Sequence, residues 1–418
     1  MTVAPIDKYD APLAAARLGG NRFHLMAKPG GSACNLRCDY CFYLAKPRLP
    51  GGPRPTRMSD ETLEAFIQKQ LAAFDTGPVV FSWQGGEPSL RGIPFFRRVL
   101  EFQRRHARPG QRVENDLQTN GTLLDDEWCE FLAENRFLVG LSMDGPPEIH
   151  DAHRVTNCGG PTSRAVIETA KRLHRHRVPF NTLTCVHRDN ARRPLDVYRF
   201  LRNDIGSRRM QFIPIVEHRD FERVAPGRWN STELPRAGAP DSRSIVTPWS
   251  VDPDDWGYFL IRIFDRWITN DAGRIFVSIF EDLVAQRAGL PAQNCTSAEL
   301  CGKCLAIEAD GGVYACDHFV YPEFYRGNIL SDDLVDLVFS REQVKFAYAK
   351  SETLPPACRR CEYLRVCWGE CPKNRLLRTA DGEPGLNWLC AGYRAFYEHA
   401  MPAIDRLAAD VKRRLHLE

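Results

Sequence analysis

The stretch CNLRCDYCFY, residues 34–43, spaces three cysteines as CxxxCxxC directly after the first predicted strand. Three thiolates suit a 4Fe–4S cluster, because soft sulfur ligands match iron–sulfide chemistry. Three ligands leave one iron open, and an open iron can chelate the amino and carboxylate groups of a methionine-type ligand. A structural zinc site normally takes four protein ligands, and no fourth Cys or His with suitable spacing follows nearby. The spacing therefore favours Cys34, Cys38 and Cys41 as ligands of an open iron–sulfur cluster.

Short β-type runs and amphipathic helical stretches alternate around and beyond this loop. The runs are FHLMA from Phe23, VVFSW from Val79, ENDLQT from Glu114, FLVGLS from Phe137, FNTLTCV from Phe180 and MQFIPIV from Met210. Helical periodicity separates them, as in the stretches that begin at Ser59 and Thr162. This α/β alternation predicts parallel βα units. Six units, fewer than the eight of a closed barrel, predict an open, partial (βα)6 barrel with its chemistry at the carboxyl ends of the strands.

Size and composition are those of a globular protein in two parts. The 418 residues suit a barrel-sized domain plus a smaller one, and 43% of them are hydrophobic, enough for a real core. Basic residues outnumber acidic ones by only 56 to 53, which gives no reason to expect a nucleic-acid or membrane partner. The opening residues lack the apolar core of a signal peptide and no long apolar run follows, so we expect a cytoplasmic protein.

The expected organisation is a barrel, a linking region and a cysteine-rich domain. These cover residues 1–235, 236–290 and 291–418, and the last ends in an amphipathic helix from about Tyr393 to Leu415. The stretch 220–253, rich in Pro, Gly, Ser and Arg, is interpreted as a linker or surface insertion.

The cysteines are clustered. There are 15, and nine of them lie between Cys295 and Cys390. Because cytoplasmic thiols are kept reduced, this clustering indicates metal binding rather than a disulfide framework.

The CxxxCxxC loop, with Tyr40 just before its third cysteine, resembles the signature of the radical S-adenosylmethionine (SAM) superfamily. The resemblance implies that SAM binds the open iron and is cleaved to methionine and a 5′-deoxyadenosyl radical. Three motifs after the next strands agree with it: QGGEP from Gln84, QTNGTL from Gln118 and GLSMDGP from Gly140. The resemblance assigns the SAM amino group to Gly85, Gly86 and Glu87, where paired glycines permit close backbone approach. It assigns further SAM contacts to Ser142 and Arg154, the latter suited to the carboxylate.

The C-terminal third has a second cysteine pattern, which resembles the SPASM extension with its two auxiliary 4Fe–4S clusters. After Cys301, Gly311 and Cys316, the stretch CRRCEYLRVCWGEC places Cys358, Cys361, Cys367 and Cys371 as CxxCxxxxxCxxxC, and Cys390 closes the series. The resemblance implies one cluster on Cys358, Cys361, Cys367 and Cys390. It implies another on Cys301, Cys316, Cys371 and Cys295; Cys304 is the alternative fourth ligand or else a buried thiol outside the cluster. A pair of four-cysteine zinc sites has the same local spacing, but the presence of the CxxxCxxC loop in the same chain favours iron–sulfur clusters.

The ordered set CFY, QGGEP, QTNGTL, VGLSMDGPPEIHDAHR, DGGVYACDHF and WGECPKNR resembles the anaerobic sulfatase-maturating enzymes. Those radical SAM oxidoreductases convert an active-site Cys or Ser of a sulfatase into Cα-formylglycine (3-oxoalanine). The resemblance implies that Asp317 is the general base, that Tyr43 lies near the adenine and that Gln84 lies near the reacting residue. It also implies two partners: an unfolded or nascent sulfatase polypeptide with a C/S-x-P-x-R motif, and reduced flavodoxin or ferredoxin as electron donor. Beside an anionic cluster, desolvation and like charge predict a raised pKa for Asp317.

Two other functions fit much of the same pattern. A SPASM peptide maturase that forms C–C or thioether crosslinks in a ribosomal peptide would share nearly every motif, and only the substrate separates it. A noncatalytic iron–sulfur electron carrier would need neither QGGEP, nor Ser142, nor an open cluster. For Asp317 the alternative to a base is a turn residue that caps nearby amides.

Overall fold

The computed structural model describes residues 7–10, 22–49, 51–53, 56–229, 232–240 and 242–416. The first twenty residues, where the sequence predicts no signal peptide, lie outside the described part except for 7–10. The chain forms two compact units, each assembled from separate stretches. Unit 1 comprises Met1–Cys34, Tyr43–Gln118 and Leu300–Glu352; unit 2 comprises Asn35–Phe42, Thr119–Glu299 and Thr353–Glu418.

The strands of the described residues are short, and most follow one another through helices. They are β1 (His24–Ala27), β2 (Leu36–Cys38), β3 (Val79–Trp83), β4 (Val113–Thr119), β5 (Leu138–Ser142), β6 (Arg154–Thr156), β7 (Phe180–Val186), β8 (Arg209–Pro214), β9 (Phe276–Val277), β10 (Cys304–Ile307), β11 (Gly312–Tyr314), β12 (Tyr325–Asn328), β13 (Leu377–Arg378) and β14 (Pro384–Leu386).

The helices are α1 (Asp60–Ala72), α2 (Gly92–His106), α3 (Asp126–Glu134), α4 (Pro147–His153), α5 (Ser163–Arg175), α6 (Arg188–Ala191), α7 (Pro194–Asn203), α8 (Pro253–Asn270), α9 (Ser278–Arg287), α10 (Leu334–Val338), α11 (Arg341–Glu352), α12 (Pro356–Arg359), α13 (Leu364–Cys367) and α14 (Cys390–Leu415). Short 3-10 helices cover Lys46–Arg48, Pro88–Arg91, Ser242–Ile245, Asp317–Phe319, Pro322–Phe324 and Pro372–Asn374. Local capping explains several starts; the Ser59 side chain, for example, accepts a hydrogen bond from Thr62 N at 3.1 Å at the head of α1.

Unit 1 contains a mixed sheet in the order β12–β11–β10–β1–β3–β4. The four strands β10, β1, β3 and β4 run parallel, and Ala27 at the end of β1 pairs with both Ile307 and Trp83. Strands β11 and β12 are antiparallel additions. Helices α1 and α2 pack on the sheet through aromatic side chains: the ring of Phe66 lies 5.5 Å from that of Phe81, and Phe96 lies 5.9 Å from Trp83. The result is a sheet whose parallel strands end side by side at one edge.

Unit 2 contains four parallel strands in the order β5–β7–β8–β9. Its last helix, α14, lies against α8 at two glycines: a Cβ added at Gly257 would be 2.9 Å from the Cα of Gly392, so only glycine permits this backbone approach. Strand β2, which carries part of the CxxxCxxC loop, pairs antiparallel with β6. Through the contact of α14 with α8, the C-terminal cysteine segment packs on the strands and helices of its own unit.

The structure confirms the predicted alternation of strands and helices. All six β-type runs form strands, and the two quoted helical stretches form α1 and α5. The C-terminal helix begins at Cys390, slightly earlier than the expected Tyr393. The described residues of the 220–253 stretch contain one 3-10 helix, and its Trp229 stacks on His218 with 4.1 Å between ring centroids. No helix within the described ranges is long and apolar enough to cross a membrane.

Candidate active site and thiol cavity

Three neighbouring parallel strands of unit 1 end in polar residues. Backbone hydrogen bonds set their register: Lys28 N donates to Ile307 O at 2.8 Å, and Gln84 N donates to Ala27 O at 2.8 Å. The residues that follow β10, β1 and β3 are therefore Glu308, Lys28 and Gln84, in adjacent positions. Parallel sheets place their chemistry at this carboxyl edge. We call Lys28, Tyr43, Gln84, Glu308 and Asp317 the strand-end site.

Asp317 in this site forms an ion pair with Lys28. Lys28 is 2% exposed, and the Asp317 side chain is 17% exposed. Burial alone would raise the pKa of the Asp317 carboxyl, but the charge of Lys28, supported by His318 and Lys46, outweighs it and holds that pKa below its usual value. The sequence prediction of a raised pKa, from desolvation and like charge, left out Lys28. The protein's own charges keep this carboxyl ionised.

Tyr43 and Glu308 form the other buried contact of the strand-end site, a hydrogen bond in which the phenol donates to the carboxyl oxygen. The ammonium of Lys28 lies 4.9 Å from the centre of the Tyr43 ring, a cation–π distance. Burial raises the pKa of Glu308 to about 7, although the Tyr43 bond and Lys28 act in the opposite direction. Tyr43 is 3% exposed and Glu308 is 1% exposed, so both side chains are enclosed by protein rather than by water.

The QGGEP loop closes against the residues that lead into Cys34. Gly86 N donates to Gly31 O at 2.8 Å, and Glu87 N donates to Ala33 O at 2.8 Å. A Cβ at Gly86 would lie 2.6 Å from the carbonyl carbon of Ala33, which no side chain tolerates. The carboxylate of Glu87, buried within the loop, accepts from Ser89 N at 2.9 Å. Both glycines are thus needed for close backbone approach, as the sequence predicts.

The other two loop cysteines, Cys38 and Cys41, belong to unit 2. Cys38 pairs with Arg154 in the β2–β6 ladder, and Cys41 N donates to Cys38 O at 3.1 Å. Beside them Tyr40 and Arg154 both bond to the buried carboxylate of Asp144, with 2.9 Å from Arg154 Nε. Burial would raise the pKa of Asp144, but Arg154 holds it below its usual value. Nε of Arg154 thus donates to Asp144. Ser142 is the last residue of β5 and lies two positions before Asp144 in the sequence.

Four cysteines of unit 2 line one cavity of about 350 Å³: Cys358, Cys361, Cys367 and Cys390. We call it the thiol cavity. Burial raises the pKa of Cys367 to about 12, with Cys390 adding to the effect, and raises that of Cys390 to about 11, with Cys358 and Cys361 adding to it. The mutual influence of these thiols reflects their proximity. Four sulfurs around open space are the donor set of a 4Fe–4S cluster, so the residues fit such a group.

The remaining cysteines proposed as ligands fall in both units. Cys301, Cys304 and Cys316 belong to unit 1, and Cys295 and Cys371 to unit 2. Cys304 opens β10 opposite His24, Cys316 directly precedes the Asp317 turn, and Cys295 is exposed. None of the 15 cysteines, all of which lie in the described ranges, is joined in a disulfide.

Three polar residues of these sites were missed by sequence reasoning: Lys28, Glu308 and Asp144. Each is buried and directly follows a strand or nearly so. A lysine that interrupts the apolar start FHLMAK was the available signal for Lys28, because a buried ammonium needs an anionic partner. Nothing local in the sequence identifies that partner.

Comparison with known proteins places these observations in a family. Residues 29–201 match the Radical SAM superfamily, and residues 295–362 match SPASM, an iron–sulfur cluster-binding domain. The serine-type anaerobic sulfatase-maturating enzyme of Bacteroides thetaiotaomicron is 42% identical over 386 residues, which cover 91% of this chain and 90% of that protein. The cysteine-type anaerobic sulfatase-maturating enzyme of Clostridium perfringens (strain 13 / Type A) is 32% identical over 390 residues, covering 93% and 99%.

Solved structures agree. Native anSMEcpe with bound AdoMet and Cp18Cys peptide matches with a TM-score of 0.79 at 32% identity, covering 93% of this chain and 99% of that one. Streptococcus suis SuiB bound to S-adenosylmethionine matches with a TM-score of 0.59 at 14% identity, covering 88% and 77%, which shows likeness of fold alone. The predicted fold class, a partial radical SAM barrel followed by a SPASM domain, is confirmed.

Proposed function

The chain belongs to the anaerobic sulfatase-maturating enzymes, and we propose that it oxidises an active-site Cys or Ser of a sulfatase to Cα-formylglycine with Asp317 as the base. The cofactors are SAM, the 4Fe–4S cluster that binds it and the auxiliary clusters of the SPASM domain. The observation that most supports the assignment of the site is the Lys28–Asp317 pair beside Gln84 at the edge of three parallel strands.

The protein's own residues would bind the substrate, orient it and move one proton. When bound, the SAM-ligated cluster supplies the radical that removes a Cβ hydrogen atom, and an auxiliary cluster supplies the acceptor for the remaining electron. The Asp317 carboxylate, kept ionised by Lys28, takes the proton from the substrate thiol or hydroxyl. Gln84 offers an amide at the same sheet edge to orient the reacting residue. A Ser substrate thereby becomes the aldehyde directly; a Cys substrate becomes a thioaldehyde, which water converts to the aldehyde with release of sulfide.

We assign SAM binding to six residues. Gly85, Gly86 and Glu87 would receive its amino group, which suits a buried carboxylate beside two glycines that have no Cβ atom. Tyr43 would lie against the adenine. Ser142 and Arg154 would complete the contacts. The guanidinium of Arg154, whose Nε donates to Asp144 and whose Nη2 donates to Cys185 Sγ at 3.6 Å, would pair with the SAM carboxylate.

The three clusters are assigned to three cysteine sets. Cys34, Cys38 and Cys41 would hold the SAM-binding cluster. Cys358, Cys361, Cys367 and Cys390, which share the thiol cavity, would hold one auxiliary cluster. Cys301, Cys316 and Cys371 would hold the other, with Cys295 as fourth ligand and Cys304 as the alternative.

The remaining assignments concern organisation and partners. Divided by the cofactor that each part would bind, residues 1–235 would form the SAM-binding domain and residues 291–418 the domain of the auxiliary clusters. Residues 236–290 would connect these two domains. Reduced flavodoxin or ferredoxin would supply the electron that cleaves SAM, and a sulfatase polypeptide with a C/S-x-P-x-R motif would be the substrate. Cysteines must stay free of disulfides to bind iron, and cytoplasmic thiols are kept reduced, so we place the enzyme in the cytoplasm.

The test is anaerobic turnover of the reconstituted, reduced protein with SAM and a short peptide. Matched peptides would carry Cys, Ser or Ala before the x-Pro-x-Arg core, and mass spectrometry would follow them alongside 5′-deoxyadenosine. Conversion of the Cys or Ser peptide to formylglycine, matched by 5′-deoxyadenosine, is expected, with the Ala peptide unchanged. SAM cleavage that leaves every peptide intact would instead favour a peptide-crosslinking maturase. No SAM cleavage in fully iron-loaded protein would contradict enzymatic activity and leave an electron carrier.

A further inference from the structure

Lys28 is a lysine buried in the strand-end site. Only 2% of the surface of Lys28 is exposed, and its ammonium pairs with the carboxylate of Asp317. Moving a charge out of water is costly unless an opposite charge compensates it. Removal of either partner would therefore leave the other as an uncompensated charge.

The direction of the Lys28 side chain is fixed on several sides. Its backbone N donates to Ile307 O at 2.8 Å, and its carbonyl accepts from Gly31 N at 2.9 Å. A Cβ at Gly85 would lie 3.5 Å from both Cα and Cβ of Lys28, so the QGGEP loop packs directly on it. The ammonium lies 4.9 Å from the ring centre of Tyr43, and Glu308 accepts a hydrogen bond from the hydroxyl of Tyr43. Lys28 is thus held by strand pairing, loop packing and an anchored aromatic ring.

Resting on the proposed function, we propose that Lys28 is a positioning residue that orients the Asp317 carboxylate toward the substrate thiol or hydroxyl. In the proton-transfer step, the S–H or O–H bond of the substrate breaks and an O–H bond forms on Asp317. Lys28 keeps its own protons throughout. It acts only through Asp317, because its ammonium fixes where the accepting oxygen points, and general-base catalysis depends on that geometry.

The test uses the full-length, cluster-loaded enzyme with the Ser and Cys peptides. Lys28→Met is expected to lower the rate of formylglycine formation on the order of 100-fold, within the range for a general base. The rate of 5′-deoxyadenosine formation should remain, so the ratio of 5′-deoxyadenosine to product rises. The KM for the peptide should stay the same while kcat falls. Lys28→Arg, which keeps the charge, should recover most of the rate.

A double-mutant cycle separates positioning from a structural role. If Lys28 acts through Asp317, then Lys28→Met adds no further loss in an Asp317→Asn background. The matched control is Lys69→Met, in the same unit: its ammonium donates to Ile329 O and Asp332 O at 2.6 and 2.7 Å, and the variant should retain wild-type rates. If Lys28→Met fails to take up full iron, Lys28→Gln replaces it, since Gln removes the charge but keeps a donor.

Three outcomes would overturn the inference. One is an unchanged product rate in Lys28→Met and Lys28→Gln. Another is a loss that multiplies with that of Asp317→Asn, because this means Lys28 works independently of the base. The third is an equal fall in 5′-deoxyadenosine and product, because this places Lys28 on the SAM side through Tyr43. A wild-type enzyme that makes 5′-deoxyadenosine but no formylglycine would overturn the proposed function itself.

Discussion

The strand-end site and the thiol cavity are built in opposite ways. In the strand-end site the charged and polar groups already pair with one another: Lys28 with Asp317, and Tyr43 with Glu308. In the thiol cavity, four cysteines border about 350 Å³ of open space, and burial raises the pKa of Cys367 to about 12. The first site can hold its geometry through protein contacts alone. The second has a donor set that metal binding completes, so its folding energy should depend on iron.

The largest effect is expected in the thiol cavity from Cys367→Ser. Loss of one ligand should remove one whole cluster's iron, lower the free energy of unfolding by on the order of 10 kcal/mol and abolish product formation. Iron analysis measures the loss of the cluster, anaerobic urea unfolding measures the change in stability, and the peptide assay measures product formation. Cys129→Ser is the control: Cys129 is a buried thiol outside the cavity, and its change should spare the iron. Full iron and unchanged stability in Cys367→Ser would contradict the distinction between the two regions.

In the strand-end site, the corresponding change should remove chemistry and leave the cofactors in place. Asp317→Asn is expected to lower the rate of formylglycine formation about 10²- to 10⁴-fold, as for loss of a general base, with SAM cleavage and iron content retained. Single-turnover assays with both readouts measure this. Asp310→Asn, a nearby turn residue whose carboxylate accepts from Gly312 N at 3.0 Å, serves as control. Product formation at the wild-type rate in Asp317→Asn would exclude this residue as the base.

The strand-end site should also make stability depend on pH through Glu308. Its pKa is raised from 4.5 to about 7, so the folded state keeps a proton that the unfolded state has lost. The contribution of this group is complete below about pH 4.5 and is lost as pH rises through 7, by about 3 kcal/mol in all. Glu308→Gln does not titrate. Its stability relative to wild type should therefore rise by about that amount between about pH 5 and about pH 8.

Anaerobic urea midpoints at the two pH values measure this difference. Glu101→Gln, in which an exposed carboxylate of α2 is replaced, should show no comparable change. A constant difference between Glu308→Gln and wild type across the range would mean that Glu308 is ionised in the folded state throughout.

The sequence predicted the framework of both regions well, because that information is local. Six β-type runs gave six strands, and the four cysteines that the family resemblance grouped together, Cys358, Cys361, Cys367 and Cys390, line one cavity. Period-2 and period-3.6 patterns, together with short cysteine spacings, are carried by a few consecutive residues.

The sequence did not predict the pairings that make the strand-end site. Tyr43 and Glu308 are 265 residues apart, and they meet only because β10 joins β1 as a parallel neighbour. The run CLAI of β10 lies among cysteines and was not among the six predicted β-type runs. With that pairing unknown, Lys28 had no visible partner, and its lowering effect on the pKa of Asp317 was not predicted. Long-range strand order, rather than propensity, decides such contacts.

The smallest effect is expected where the sequence was informative, at the paired glycines of QGGEP. A Cβ at Gly86 would lie 2.6 Å from the carbonyl carbons of Ala33 and Ser32, both backbone atoms, so Gly86→Ala must shift the loop that leads to Cys34. Overpacking of this kind costs about 1–3 kcal/mol. Gly30→Ala is a matched control in the same loop, since the nearest atom to its Cβ is Arg91 Cδ at 3.9 Å. The midpoint temperature of thermal unfolding and the affinity for SAM should both fall for Gly86→Ala and stay unchanged for Gly30→Ala. Equal behaviour of the two variants would mean that the strand-end site tolerates displacement of this loop, and that its rigidity comes from the ion pair and hydrogen bonds rather than from backbone packing.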